Sequence, residues 1–159
     1  MTLRLSCPTR REVIGAAIAS LSMPSAAVSQ SPRRSATGQE ASSMKVRFAF
    51  NGHDFTATLN DTPSARDFAS MLPLDLKIDD YANNEKIAYL PRKLAAEGSG
   101  PFTHEAPGDL CYYAPWGNLV FFYAAYRYSS GLIRLGRLDG GVQPLLARGA
   151  FPLRAELAS

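Results

Sequence analysis

The chain has 159 residues, enough for one principal domain, and a formal net charge of +3 with a sequence pI near 9.0. That excess is not spread evenly: from Lys45 onward 12 Lys and Arg face 12 Asp and Glu, so the positive surplus belongs to the first 44 residues. A neutral globular part lacks the surplus of basic side chains that phosphate neutralisation demands, which removes the main support for nucleic-acid binding.

The first segment reads as an export leader. Thr9, Arg10 and Arg11 precede an uncharged stretch from Val13 to Val28, with small residues at Ser25, Ala26 and Ala27, and the apolar run is too short to span a bilayer. The paired arginines are similar to the twin-arginine signal, which exports folded proteins, so the expected location is periplasmic or exported after cleavage near residue 29. The alternative start is Met44, which gives a cytoplasmic product. Residues 30–43, polar and free of aromatics, read as a flexible linker in either case. No stable membrane association is expected once the leader is removed.

Residues 44–159 read as the folded domain. Val46, Phe48 and Phe50 alternate with polar neighbours, Asn51-Gly52 supplies a turn tolerant of positive φ, and Phe55, Ala57 and Leu59 resume the alternation, which predicts a β-hairpin. Asp61-Thr62-Pro63 offers an N-cap and a proline at the first helical position. Ala65, Phe68, Ala69 and Leu72 recur at helical spacing until Pro73. Leu74, Leu76 and Ile78 predict a strand, 79–85 a polar loop, and Ile87 to Leu90 a short extended piece stopped by Pro91. Residues 95–107, broken by glycine and proline, form the longest predicted loop.

The segment GDLCYYAPWGN (Gly108 to Asn118) and the apolar run after it predict two strands, Leu110 to Tyr113 and Leu119 to Ala125, around a turn at Pro115 to Asn118. Leu132 to Leu138 is a further strand, in which Gly136 marks a bulge or a close backbone approach. Asp139-Gly140-Gly141 is a turn, Val142 to Ala147 a short helical piece, and Phe151 to Leu157 a closing strand. The fold class is mainly β: a small closed barrel of about eight strands with two short helices.

In that order, the hairpin, TPSARDF (Thr62 to Phe68), LPLDLKIDDY (Leu72 to Tyr81), EKIAYLPRKL, GDLCYYAPWGNLVFFY and GLIRLGRLDGG (Gly131 to Gly141) resemble the bacterial cyclophilin-like domain family, over nearly all of Met44 to Ala158. The resemblance implies an eight-stranded barrel with two helices and a molecular function that is unassigned. Cyclophilins themselves isomerise prolyl bonds, lowering a barrier of roughly 18 to 20 kcal/mol with an apolar pocket and an arginine donor. Their phenylalanine-histidine-arginine motif does not occur here, so no catalytic residue is transferred to His53, His104 or any other position.

The aromatic segment suggests a cleft. Arg92, Tyr113, Trp116 and Asn118 are expected to edge it, with Glu85 as a partner of Arg92 and Tyr123 as a further wall residue. Strand alternation sends about half of the aromatics to the core, and Trp116, on the turn, is the one best placed for a ligand. Cys111 has no histidine near it in sequence and reads as a buried small hydrophobe. Two histidines without ligand spacing give no metal site, and no cofactor is expected. The function expected is binding of a small molecule or peptide segment by a monomer or weak homo-oligomer. A prolyl isomerase using Arg92 is the alternative, and an accessory domain contacting a protein partner is a third.

Overall fold

The computed structural model describes residues 44–97 and 99–159. The expected leader at 1–29 and the linker at 30–43 lie outside the described residues. Among the described residues, eight antiparallel strands close into a barrel: β1 (Lys45–Phe50), β2 (His53–Leu59), β3 (Leu74–Tyr81), β4 (Glu85–Tyr89), β5 (Asp109–Tyr113), β6 (Asn118–Phe122), β7 (Leu132–Leu138) and β8 (Phe151–Leu157). Around the barrel their order is β1-β2-β7-β5-β6-β4-β3-β8. Closure leaves no long edge strand open to pairing with another chain.

The β1–β2 hairpin forms where alternation placed it, with Phe48 opposite Phe55 and both Asn51 (φ 47°) and Gly52 (φ 73°) at positive φ. Phe48 stacks on Phe55 at 5.4 Å between ring centroids and meets the edge of Phe121 at 5.1 Å, so the hairpin delivers the aromatic centre of the barrel interior. Helix α1 (Pro63–Ser70) is capped by the Thr62 hydroxyl, which accepts from the Ala65 amide, and it sends Ala65, Phe68 and Ala69 into the same core. The second helical piece is a single 3-10 turn, Gln143–Leu146, which contributes Leu145.

Two strand boundaries and the facing of one side chain differ from the sequence reading. Residues 79–81, expected in a polar loop, continue β3 and pair with 85–87 of β4. The reason is a buried cation: Lys86 is fully enclosed, and its Nζ donates to Asp80 Oδ1 at 2.6 Å, so the acidic residue belongs in the sheet that holds its partner. The Gly149 amide donates to the other Asp80 oxygen at 2.6 Å. Strand β6 stops at Phe122 rather than Ala125, because the amides of Tyr123 and Ala124 leave the ladder to donate to the Asn84 carbonyl. Leu157, expected inward, is 53% exposed at the end of β8.

Gly136 is a point of close approach. A Cβ there would overlap the Thr58 carbonyl oxygen and come within 2.9 Å of the Leu59 Cα, and the register between β5 and β7 shifts at Leu110/Cys111 on the other side of the same residue.

Asp67 ties α1 to the chain leaving β4: its carboxylate accepts from both terminal nitrogens of Arg92, at 2.6 and 3.0 Å, and from the Ala95 amide at 2.7 Å. The Arg92 hydrogen bonds, then the Ala95 amide, hold this carboxyl at about 2, against an ordinary 3.8. A depressed carboxylate stabilises the fold only while ionised, so its contribution is complete above 3.8 and lost as pH falls toward 2. Urea midpoints of the natural chain and of Asp67→Asn are expected to differ near neutral pH and to converge as pH approaches 2.

Candidate functional site

Strand β6 is buried at all five positions, and that property creates the site. Leu119 and Phe121 point into the barrel, while Asn118, Val120 and Phe122 point outward and are covered all the same. The cover is a second apolar layer: Ile87 of β4, Cys111 of β5, Val120 and Phe122 of β6 and Leu132 of β7, overlaid by Phe102, Tyr113, Tyr126 and Tyr128. Phe122 and Tyr126 stack face to face at 3.5 Å, and Phe102 meets Tyr128 edge-on at 5.3 Å. Residues 99–108 and 123–131 therefore close over part of the outer face.

Asp109 pins that cover. Its fully buried carboxylate accepts from Arg137 Nε at 2.8 Å and from the Tyr126 hydroxyl at 2.7 Å, and it pairs with Arg134 at 3.1 Å. Arg134 in turn lies over the Phe102 ring at 4.3 Å. Burial and the hydrogen bond to Asp109 raise the Tyr126 phenol above its ordinary range. Cys111, fully buried with Sγ 3.7 Å from the Tyr126 hydroxyl, is pushed by burial to about 12, so it stays a thiol near neutral pH and is no nucleophile.

Where the cover stops, a pocket of about 210 Å³ remains on the outer face. Its floor is Ile87, Val120, Phe122 and Leu132. Its walls are Tyr81, Tyr113 and Trp116, with Glu85, Asn118 and Ser129 as the polar lining. Trp116 stands edge-to-face between Tyr81 at 5.3 Å and Tyr113 at 5.5 Å, so three rings from β3, β5 and the β5–β6 turn form one rim. The turn is fixed by the Trp116 and Gly117 amides, which donate to the Tyr113 carbonyl, and by Pro115, which packs where a Gly131 side chain would have to go.

Asn118 is the unusual member. It is 1% exposed, its amide nitrogen donates to the Leu119 carbonyl at 3.2 Å, and its Oδ1 has no partner among the described residues. A buried amide oxygen without a donor forgoes a hydrogen bond it had in water, at a cost on the order of 1 to 3 kcal/mol. Glu85 shares the pocket without an ion pair or side-chain hydrogen bond among the described residues, and burial alone lifts its carboxyl above the ordinary 4.5.

Of the six residues expected to build the cleft, Glu85, Tyr113, Trp116 and Asn118 line this one pocket. Arg92 does not: its guanidinium is held bidentate by Asp67 beside α1, so the expected Arg92–Glu85 pair is not made. The isomerase alternative thereby loses the donor it rested on. Tyr123 also lies elsewhere, with its hydroxyl accepting from Arg148 at 2.7 Å and its ring against the barrel-interior core. Tyr81, Ile87, Val120, Phe122, Ser129 and Leu132, which complete the lining, were not among the six. A signal for them exists in LVFF (Leu119 to Phe122), where both parities are apolar and both faces of the strand must be covered.

A family model described as the cyclophilin-like family matches residues 48–156. No curated protein matches the chain. Among solved structures, a hypothetical protein from Archaeoglobus fulgidus, determined in solution, is similar at a TM-score of 0.63 and 17% identity, over 76% of this chain and 99% of that one. At that identity the likeness speaks for the barrel and for nothing beyond it.

Proposed function

This chain belongs to the cyclophilin-like family, and on that premise we propose that its barrel is a binding module that takes a small ligand into the outer-face pocket between Glu85, Asn118 and the Tyr81–Trp116–Tyr113 rim. The observation that carries the reading is Asn118: a side chain 1% exposed, whose amide oxygen has no donor among the described residues and lies in the lining beside an apolar floor. Native interiors seldom leave such a group unsatisfied, and a ligand hydrogen bond would satisfy it. The floor supplies affinity by burial, on the order of 25 cal/mol for each Å² of apolar ligand surface removed from water, and the polar lining supplies orientation.

The test is an amide-resolved NMR titration of the full chain with a fragment set mixing cations, neutral molecules and anions. Shifts are expected to gather on Ile87, Tyr113, Trp116, Val120 and Leu132. Trp116→Ala is expected to weaken the hits about tenfold while leaving the chain folded, at a cost on the order of 1 to 2 kcal/mol from its two lost ring contacts. Shifts gathered instead around Asn60, Thr62, Phe102 and Ile133, which line a separate cleft, would overturn the assignment, as would a fragment set that perturbs neither.

A further inference from the structure

We infer that the ligand is a small organic cation carrying N–H groups, a primary ammonium or a guanidinium, with Glu85 as its counter-charge, Asn118 Oδ1 as a hydrogen-bond acceptor and the faces of Tyr81, Tyr113 and Trp116 as its aromatic wall. The inference rests on the pocket reading above and names the chemistry that the pocket selects.

Its first support is the sign of every committed polar group. One of the two Asn118 amide hydrogens goes to the Leu119 carbonyl, and the side-chain atom left without a partner among the described residues is the oxygen, an acceptor. Glu85 offers a carboxylate, which only accepts when ionised. Aromatic faces carry negative quadrupole density and attract cations. Hydroxyls of Tyr81, Tyr113 and Ser129 can donate or accept and oppose neither sign. An anion would meet Glu85 and a bare amide oxygen, and a hydrocarbon would seal both away unpaired. An ammonium satisfies both with charge-assisted hydrogen bonds, which are roughly twice as strong as neutral ones.

The second support is that Glu85 makes no ion pair with a lysine or arginine among the described residues. On the five strands framing the pocket the basic residues are Lys77, Lys86, Arg134 and Arg137, and each is committed elsewhere: Lys77 to Asp79, Lys86 to Asp80, and both arginines to Asp109. Burial without compensation raises the Glu85 carboxyl, the condition that a bound ammonium would reverse.

Trp116 is the single tryptophan of the chain and stands on the rim, so its fluorescence reads occupancy directly. The full chain would be titrated with benzylammonium, benzyl alcohol and benzoate, which share a ring and differ in charge. The inference expects saturable quenching by benzylammonium, binding at least tenfold weaker for the alcohol, and the weakest for benzoate. In Glu85→Gln, checked for an unchanged urea midpoint, the preference of amine over alcohol is expected to collapse. Alcohol or benzoate binding as tightly as the amine at the same tryptophan would overturn the cation assignment and leave the pocket standing. Silence from all three probes, together with no fragment shifts at the pocket residues, would overturn both.

Discussion

Gly136→Ala is expected to destabilise the barrel by about 3 kcal/mol or more, a large share of the roughly 5 to 15 kcal/mol that holds a domain of this size. One methyl group has this effect because its neighbours are backbone. The added Cβ would overlap the Thr58 carbonyl oxygen and crowd the Leu59 Cα at 2.9 Å, on the strand to which β7 is paired through Leu59↔Gly136. A long side chain could swing away, but a carbonyl engaged in a closed sheet cannot move without shifting its ladder. On the other side of Gly136 the β5–β7 register already slips at Leu110/Cys111, so strain cannot be relieved there by a simple shift. Urea unfolding followed by circular dichroism measures the effect. A midpoint for Gly136→Ala within 0.5 kcal/mol of the natural chain, on the order of an ordinary surface change, would mean that the two strands do not approach in solution as they do here. Gly140→Ala serves as the control, since a Cβ there meets nothing within 4 Å.

Asp109→Ala is expected to cost about 3 to 5 kcal/mol and to loosen the outer cover before the barrel itself. Asp109 is fully buried, and removing it strands Arg134, whose side chain is only 20% exposed, without its carboxylate, and leaves the Tyr126 hydroxyl without its acceptor. Breaking a buried pair from one side is costly because the remaining charge keeps its desolvation penalty and loses its compensation. The carboxylate also accepts from the Ala106 amide, so one residue fixes the end of one covering loop and the middle of the other. Hydrogen exchange is the sharper readout. Amides near Phe102, Tyr126 and Tyr128 should lose protection in the variant before those of Phe48 and Phe121 in the barrel interior. Equal loss across both layers would show that cover and barrel unfold as one unit.

Much of the barrel was legible residue by residue, because the signals are local. Alternation fixes which side of a strand faces inward, so Val46, Phe48 and Phe50 and their hairpin partners Phe55, Ala57 and Leu59 were assigned correctly from spacing alone. Asn51-Gly52 declares a positive-φ turn, Thr62-Pro63 a helix start, and a lone glycine within LIRLGRL a place where another backbone comes close. Each of these rests on the conformational limits of one to four neighbouring residues.

The candidate site was half legible for the same reason. Tyr113, Trp116 and Asn118 fall within six residues of one hairpin, so a cleft built on that hairpin gathers them, whereas the Arg92–Glu85 pair was a guess about a loop. Arg92 took Asp67, 25 residues away, because α1 packs beside the exit from β4. Lys86 reads in sequence like any charged strand residue, yet it lies inside the barrel with Asp80. The strand faces, the turns, the helix start and the presence of a strand covered on both sides follow from backbone sterics and the spacing of apolar side chains, so local sequence alone sets them. Which carboxylate each cation meets, how far the loops cover the outer face, and that Glu85 and Asn118 face the same uncovered gap with no donor among the described residues were settled by closing the barrel, through distances no local pattern encodes.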